Sequence, residues 1–527
     1  MNLLLYVEPL IEMERPYWKE GWATYFGRII IDTLRNAEGP EGGFDFAIAV
    51  NEPLRERSNL DIEHVVFTQA ELLKPFDWSY LVASLAWYNS SFTAEQLEYY
   101  KILMRTKLAG FCPDIIITFS PAPFFKDAFP NALTLHMEYS LFSRSPYPQS
   151  WYLDPVGMLA NSFVSSFADK INDITVSEQE MSLLDTFKER CREIIDKKSP
   201  FKELLRYERQ KYKHLVLVPL QFSQYYGFDG NVSFKNQYEY LTYILETVPK
   251  NIGVIVTQHP DYTALTQDTI TFIRSKYCNF IFYDEFESYQ SSSQYILPDI
   301  DAVITVSSSV GLQALIFDKK LVTIGNNYNP IISDSFHLEN LDAVLSAEHS
   351  NRNGILFWLI TRYAITEPYL KNSSWFASFL RRSLKTYREK GITESFYERI
   401  DYPEILFSSL HSSLDENIPK RLESKSLHTQ LRQQVALSNG LATESTALRT
   451  QLDATINYVK DLEKSISNLK DKIKLAELSL KEKDQEIREK ERVITEISTD
   501  MKDILNSRIW RLTTPLRSFH SLLAKFK

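Results

Sequence analysis

The sequence contains few cysteines and lacks a continuous apolar run long enough to cross a membrane. Its three cysteines, Cys112, Cys191 and Cys278, are widely spaced and form no CxxC pair or Cys/His cluster. This pattern fits a reducing cytoplasm and argues against a structural zinc site. The first residues have no basic region before a short apolar run, and no later stretch reaches about 18 apolar residues. We therefore expect neither an export signal nor a transmembrane helix.

Two common nucleotide-binding motifs are also missing. The sequence has no GxxxxGK[ST] loop, and no GxGxxG follows a predicted strand. The segment Asp299-Ile300-Asp301 has the DxD pattern of metal-dependent sugar-nucleotide enzymes. Because it only introduces a buried strand, we interpret it as structural. The sequence therefore predicts no metal site and no bound cofactor.

Acidic residues are missing from the last twenty positions. The whole chain has a net charge of −9, whereas this end has only basic charged residues, namely Arg508, Arg511, Arg517, Lys525 and Lys527. An acidic body with a basic end argues against general nucleic-acid binding, and it leaves a membrane surface or another anionic partner as the target.

The chain does contain apolar runs that alternate with amphipathic stretches over its first 415 residues. At 527 residues it is too long for one core. Such alternation predicts α/β layers with mostly parallel sheets. We predict an acceptor-side Rossmann-like domain over 1–205 and a donor-side Rossmann-like domain over 206–415. Predicted strands include Leu3–Val7, Phe44–Val50, His64–Phe67, Asp114–Phe119, Leu133–Met137, Leu215–Val218, Ile252–Thr257, Asn279–Tyr283, Ala302–Val306 and Leu321–Ile324.

The last hundred residues have a different pattern. From Leu441 onward, apolar residues follow 4-3 spacing with Lys and Glu between them. We predict a coiled coil over 425–505, with about nine heptads, and a parallel homo-oligomer. The residues 506–527 interleave Arg with Trp, Phe and Leu, which is typical of an amphipathic helix at an anionic membrane surface. A helix packed onto its own oligomer is the alternative for this tail.

Two short motifs follow predicted strands and indicate a phosphate site. His259-Pro260 ends one strand, and the proline holds His259 at the edge of the sheet. Ser307-Ser308-Ser309 opens a helical segment that continues through Gly311 and Gln313. Serine hydroxyls and free N–H groups at a helix start favour an anion, although a plain N-cap remains the alternative.

Two carboxylates are placed where they can act on a sugar. Asp229 lies in a glycine-flanked loop after one strand, and Glu138 follows the last predicted strand of the first domain. We expect them on opposite walls of a cleft between the domains. A pair of carboxylates can divide the nucleophile and acid/base roles in glycosyl transfer. Acidic residues are common in loops, so a purely structural role for each stays open.

The motifs His259-Pro260 and Val306-Ser307-Ser308-Ser309-Val310-Gly311-Leu312-Gln313-Ala314 resemble those of the retaining β-Kdo glycosyltransferases of capsule and O-antigen synthesis. The resemblance covers about residues 1–400. It implies a GT-B arrangement and the donor CMP-Kdo, without a metal. Gln313 stands where the commoner family pattern has Glu.

The resemblance also implies residue roles. Asp229 would form the covalent Kdo adduct, Glu138 would be the acid/base, and His259 with Pro260 would contact the donor. Ser307, Ser308, Ser309, Gly311 and Gln313 would line the CMP phosphate site. The implied reaction is the capping of a lipid-linked O-antigen polysaccharide, with the enzyme peripheral to the inner membrane.

Two alternatives remain open. A GT-B transferase could use another nucleotide sugar, or a coiled-coil scaffold could carry an inactive transferase domain. Donor binding separates the first alternative from the main hypothesis, and turnover of CMP-Kdo separates the second.

Overall fold

The computed structural model describes residues 1–7, 17–37, 43–52, 54–55, 60–260, 262–326, 329–416 and 427–524. The chain divides into two compact units, Met1–Leu437 and Ser438–Lys527. The predicted tail residues 525–527 and the first two residues of the predicted coiled coil lie outside the described residues.

The first sheet is built mainly from the amino-terminal part of the chain. Its strands β1 to β5 are all parallel, in the spatial order β5-β4-β1-β2-β3, and β6 pairs antiparallel with β5. Strands buried on both faces have near-continuous apolar sequences, as the residues of β1 and β4 do. The strands are β1 Asn2–Tyr6, β2 Asp45–Val50, β3 Glu63–Val66, β4 Ile115–Thr118, β5 Leu133–Tyr139 and β6 Ser150–Asp154.

The second sheet is parallel throughout, in the order β11-β10-β7-β8-β9. The carboxyl ends of its strands therefore lie at one edge, which is where open α/β sheets bind ligands. Its strands are β7 His214–Pro219, β8 Ile252–Thr257, β9 Phe280–Ile281, β10 Ala302–Thr305 and β11 Lys320–Thr323. The two sheets confirm the predicted α/β class with two Rossmann-like layers.

One further strand, β12 (Ile365–Thr366), returns to the first sheet and pairs antiparallel with β6. The predicted division at 205/206 thus separates the strands of the two sheets with β12 as the exception. The helix Ser373–Lys390 also returns, since Arg388 forms an ion pair of 2.7 Å with Asp114 beside β4. Neither β6 nor β12 is among the predicted strands.

Helices cover the sheets on both faces. The helices of eight or more residues are α1 Gly27–Arg35, α2 Tyr80–Tyr88, α3 Ala94–Lys107, α4 Glu178–Lys198, α5 Lys202–Arg209, α6 Gln237–Thr247, α7 Gln267–Lys276, α8 Ser373–Lys390, α9 Pro403–Ser413, α10 Leu427–Asn506 and α11 Thr514–Ala524. The shorter α, 3₁₀ and π turns are Tyr17–Gly21, Trp22–Phe26, Gln69–Leu73, Lys74–Phe76, Phe125–Ala128, Leu159–Asn161, Phe163–Ser166, Ala168–Asn172, Tyr226–Asp229, Asp284–Ser288, Ser292–Ile296, Leu297–Asp299, Ser309–Gln313, Ala314–Phe317, Asn329–Ile332, Leu341–Ser346, Asn353–Trp358, Leu359–Tyr363, Glu367–Leu370 and Arg508–Leu512.

The helix α10 is continuous over 80 residues, as the heptad pattern predicts. Where its side chains are described, the residues of the 4-3 stripe are exposed: Ile466 is 52% exposed, Leu469 57% and Ile473 58%. Exposed stripes of this kind are usually covered by another helix. The coiled coil itself stays a prediction.

The carboxyl-terminal helices also expose apolar side chains. Ile509 and Leu512 are each 76% exposed and Leu516 73%, while the Arg517 guanidinium stacks 3.2 Å above the Trp510 ring. Among the described residues, no helix is both long and apolar enough to cross a bilayer.

Candidate functional site

The loop after β5 crosses to the strand ends of the second sheet and forms the candidate site. The Ser143 Oγ lies 3.0 Å from the Ser309 Oγ, and the Arg144 Nη2 donates to the His259 Nε2 at 3.4 Å. Both partners follow parallel strands, β10 and β8, at the same edge of the sheet. This geometry joins the carboxyl edges of the two sheets, where a ligand site is expected.

His259 is a neutral imidazole in this arrangement. A guanidinium can only donate, so the Nε2 that faces Arg144 accepts and the ring proton lies on Nδ1. Burial, and to a smaller extent the nearby Arg144 charge, lower the pKa of His259 to about 3. The ring also packs on Phe222, with centroids 4.4 Å apart. The His259 Nε2 therefore does not donate to an anion here, and the positive charge at this point belongs to Arg144. Pro260 follows in an exposed turn.

The three serines after β10 have three different partners. The Ser307 Oγ donates to the Gly227 carbonyl at 2.6 Å and accepts from the Gln221 side chain at 2.9 Å. The Ser308 Oγ accepts from the Val310 N–H at 3.3 Å and is a plain N-cap. Only the Ser309 hydroxyl reaches the first sheet. The succession of serines thus does not present three equivalent hydroxyls to one ligand.

Gln313 is fully buried and connects the serine segment to the loop after β5. Its Nε2 donates to the Leu141 carbonyl at 3.1 Å and to the Ser143 Oγ at 3.2 Å, while its Oε1 has no hydrogen-bond partner within the described part of the chain. An amide can donate these two bonds and an ionised glutamate cannot. Gly311 is buried beside it, with its N–H bonded to the Ser308 carbonyl. Gln313 therefore stabilises the contact between the sheets.

Asp229 ends the short helical turn Tyr226–Asp229, in which the Gly227 carbonyl accepts the Ser307 hydroxyl. Its Oδ2 accepts the Tyr225 N–H at 2.7 Å. Burial raises the pKa of the Asp229 carboxyl, and backbone hydrogen bonds, that of Tyr225 first, partly oppose this. The carboxylate is half-buried in the second domain, at the edge where the strands end.

Tyr88 from the first domain holds the Asp229 turn in place. Its ring stacks on Tyr226 with centroids 5.3 Å apart, and its hydroxyl donates to the Asn231 Oδ1 at 3.0 Å. Gly230 is required here, because a Cβ at this position would lie 2.5 Å from the Tyr88 ring. The turn that carries Asp229 is therefore fixed by packing across the two domains.

Glu138 lies near the end of β5, and it is opposite Tyr152 of β6 in the antiparallel pair. Its carboxylate accepts the Tyr139 N–H at 2.8 Å, and burial raises its pKa to about 7. Within the described part of the chain, no hydrogen bond or ion pair joins Glu138 to Asp229 or His259. The structure places Glu138 in the first sheet, and its role as the acid/base stays a prediction.

The DxD segment lies at the opposite edge of the second sheet, before β10. The Asp301 carboxylate pairs with Arg209 and accepts the Leu215 N–H at 2.8 Å. This agrees with its structural interpretation. Over the described residues, no group of three or more His, Cys, Asp or Glu side chains is arranged to hold a metal ion.

The sequence did not indicate the first-domain residues that reach the site. It also did not indicate the Gln221 side-chain amide that holds Ser307. Ser143 and Arg144 lie in the loop after β5, and Gln221 follows β7 and bonds both the Ser307 N–H and its hydroxyl. The only signal was position, since each follows a parallel strand at its carboxyl end.

Comparison with protein families supports the resemblance seen in the sequence. Residues 174–335 match the model of the family described as capsule polysaccharide biosynthesis protein. This range contains Asp229, His259 and Ser307–Ser309, and it does not include Glu138 or Arg144. No curated protein matches the chain in sequence.

Solved structures that match the chain include the β-Kdo 2,7 transferase of Thermosulfurimonas dismutans KpsC, at 15% identity and a TM-score of 0.32. That match covers 55% of this chain and 98% of the other. The β-Kdo 2,4 transferase of the same KpsC matches at 15% identity and a TM-score of 0.31, covering 47% of this chain and 81% of the other. The amino-terminal domain of Candida albicans trehalose-6-phosphate phosphatase matches at 11% identity and 0.34, covering 73% and 99%.

Proposed function

We propose that the chain is a retaining β-Kdo glycosyltransferase that uses CMP-Kdo to cap a lipid-linked O-antigen polysaccharide. One observation carries this proposal: the loop after β5 meets His259 and Ser309 at the strand ends of a sheet that lies within the matched capsule-biosynthesis region. A cleft between the two carboxyl edges would give separate walls for the donor and the acceptor.

The proposed reaction is a double displacement. An Asp229 carboxylate oxygen attacks the anomeric carbon of Kdo, and the bond from that carbon to the CMP phosphate oxygen breaks. An acceptor hydroxyl then attacks the same carbon, releases Asp229 and gives its proton to a base. Two inversions restore the original configuration.

Glu138 is the proposed acid/base. Its pKa of about 7 is suited to proton transfer near neutral pH, because both of its protonation states are then populated. No direct contact joins it to Asp229, so a substrate would have to lie between the two carboxylates. No metal is required in this scheme, since CMP leaves as a monophosphate whose charge can be balanced by hydrogen-bond donors and a cation.

The helices after residue 427 are proposed to assemble and localise the enzyme. The exposed 4-3 stripe of α10 would form a homo-oligomeric coiled coil, and the exposed Ile509, Leu512 and Leu516 with their neighbouring arginines would bind an anionic membrane surface. The enzyme would then act at the cytoplasmic face of the inner membrane on a lipid-linked acceptor.

The decisive experiment incubates the full-length protein with CMP-Kdo and a panel of synthetic O-antigen-like acceptors. We expect release of CMP and a product with β-linked Kdo, identified by NMR of the anomeric configuration. An α-linked product would contradict the retaining mechanism. Transfer from another nucleotide sugar, with none from CMP-Kdo, would favour the first alternative. No release of any nucleotide would favour an inactive scaffold.

A further inference from the structure

Arg144 is a half-buried cation at the candidate site, and the described residues provide no acidic partner for it. Among the described residues, no carboxylate lies within ion-pair distance of its guanidinium, and its only hydrogen bond is the long one to His259. Most half-buried arginines of this chain are paired: Arg352, for example, pairs with Asp334 at 2.9 Å. A charge held away from bulk water without a counter-ion favours an anionic ligand.

The contact with His259 orients the guanidinium without neutralising it. The imidazole accepts one N–H from Nη2, and the other N–H groups of the guanidinium have no hydrogen-bond partner among the described residues. His259 is itself packed against Phe222 and lies directly after β8. It is therefore a positioning residue for Arg144.

The neighbours of Arg144 contribute hydroxyl groups. One carboxylate is near, since Asp415 accepts from the Ser145 Oγ at 3.2 Å, but among the described residues it forms no ion pair with the Arg144 guanidinium. Ser143 precedes Arg144 and pairs with Ser309, so two hydroxyls lie beside the loop that carries the guanidinium. Asp229, the predicted nucleophile, has no bond to Arg144. A planar fork of donors next to hydroxyls suits a two-oxygen anion, such as a phosphate or a carboxylate.

We propose that Arg144, held by His259, binds an oxyanion of the donor, either the nucleotide phosphate or the sugar carboxylate. This inference rests on the proposed function, because CMP-Kdo offers both groups. It assigns the balancing of the donor's negative charge to a residue of the first domain, with His259 as the residue that positions it. Donor binding would then connect the two sheets through Arg144.

The test compares full-length wild type with Arg144→Gln and Arg144→Lys. The matched control is Arg206→Gln, which removes an exposed arginine paired with Glu203 at 2.8 Å. Dissociation constants are measured by calorimetry for inorganic phosphate, CMP, free Kdo and CMP-Kdo. We expect Arg144→Gln to weaken binding by about 10- to 100-fold, Arg144→Lys to weaken it less, and the control to match wild type.

The four ligands separate the two sources of the oxyanion. Weaker binding of phosphate and CMP assigns Arg144 to the phosphate, whereas weaker binding of free Kdo and CMP-Kdo with unchanged CMP assigns it to the carboxylate. Affinities within twofold of wild type for every ligand that wild type binds would overturn the proposal, as would a wild type that binds none of them. If wild type binds phosphate or CMP but not CMP-Kdo, the donor assignment fails, and the Arg144 variants still decide the role of this residue.

Finally, Arg144→Gln and wild type are compared by thermal unfolding without ligand. A similar melting temperature shows that the substitution does not destabilise the fold, so any loss of ligand affinity comes from the missing guanidinium. A variant that fails to fold is replaced by Arg144→Lys, for which unchanged affinity for all four ligands would also overturn the proposal.

Discussion

The α/β unit and the long helix α10 treat the same residue types in opposite ways. In strand β10, Val303 and Ile304 are 0% exposed, whereas Leu469 and Ile473 in α10 are more than half exposed. Burying one such side chain stabilises a fold by about 1.5–3 kcal/mol. The α/β unit obtains this stabilisation within one chain, while the described stripe of α10 leaves such side chains exposed. The comparison separates a region that is proposed to perform chemistry from a region that is proposed to associate.

The largest expected effect tests the chemical region alone. Asp229→Asn removes the proposed nucleophile, while the amide oxygen can still accept the Tyr225 N–H. We expect transfer from CMP-Kdo to fall by about 1,000-fold or more, with CMP affinity unchanged. Asp342→Asn, which alters an exposed carboxylate paired with Lys213, is the matched control. Turnover within tenfold of wild type would rule out the nucleophile assignment.

The next prediction tests the associating region alone. Ile466→Asp combined with Ile473→Asp places two charges in the apolar stripe, and we expect the oligomer to dissociate to monomers in analytical ultracentrifugation. Ser467→Asp with Asn468→Asp adds the same charge outside the stripe and should leave the oligomer intact. The stripe variant should keep its activity on a soluble acceptor. An unchanged mass for the stripe variant would contradict the coiled coil.

A smaller effect is expected at the tail. Leu512→Asp with Leu516→Asp removes exposed apolar side chains, so we expect at least tenfold weaker binding to vesicles that contain phosphatidylglycerol. Ser518→Asp with Ser521→Asp adds equal charge without removing apolar surface and should weaken binding less. Equal loss in both variants, measured by vesicle sedimentation, would indicate that only charge matters. Wild type that fails to bind the vesicles would contradict the membrane role.

The smallest effect concerns pH. Burial raises the pKa of Glu138 to about 7, so its protonated form is favoured in the folded state. The stability that comes from this raised pKa is present at low pH and is lost as the pH rises through about 7. Glu138→Gln lacks this titration. We therefore expect the melting temperature of Glu138→Gln minus that of wild type to be on the order of 2 °C larger at pH 7.5 than at pH 4.5. The exposed Glu339→Gln should show no such trend, and a constant gap between Glu138→Gln and wild type would refute the raised pKa.

Most of the fold could be predicted from the sequence because parallel strands buried on both faces are continuous apolar runs. The strand Ile252–Thr257 matches its predicted bounds. The segment 178–213 lies outside every predicted strand and contains the helices α4 and α5, whose apolar side chains pack on the core. Its dense charges hid an amphipathic pattern. The strand β9 has two residues instead of the five predicted, since its pairing with β8 ends at Ile281.

The candidate site was only half predictable. His259 and Ser309 could be found because each follows an apolar strand, but their partners Ser143 and Arg144 lie more than a hundred residues away in the chain. Sequence spacing carries no information on which loop of one sheet meets which strand end of another. The hydrogen bond from the Ser307 hydroxyl to the Gly227 carbonyl could not be predicted for the same reason.

The return of β12 to the first sheet has a consequence for how the molecule is made. The ribosome delivers β1 with the first residues, yet the last strand of the same sheet follows only at Ile365–Thr366. Until then, the outer backbone groups of β6 remain without their strand partner while the whole second sheet is being synthesised. The first domain is therefore finished last, and a nascent chain stalled before residue 365 would carry an open sheet edge that a chaperone can recognise.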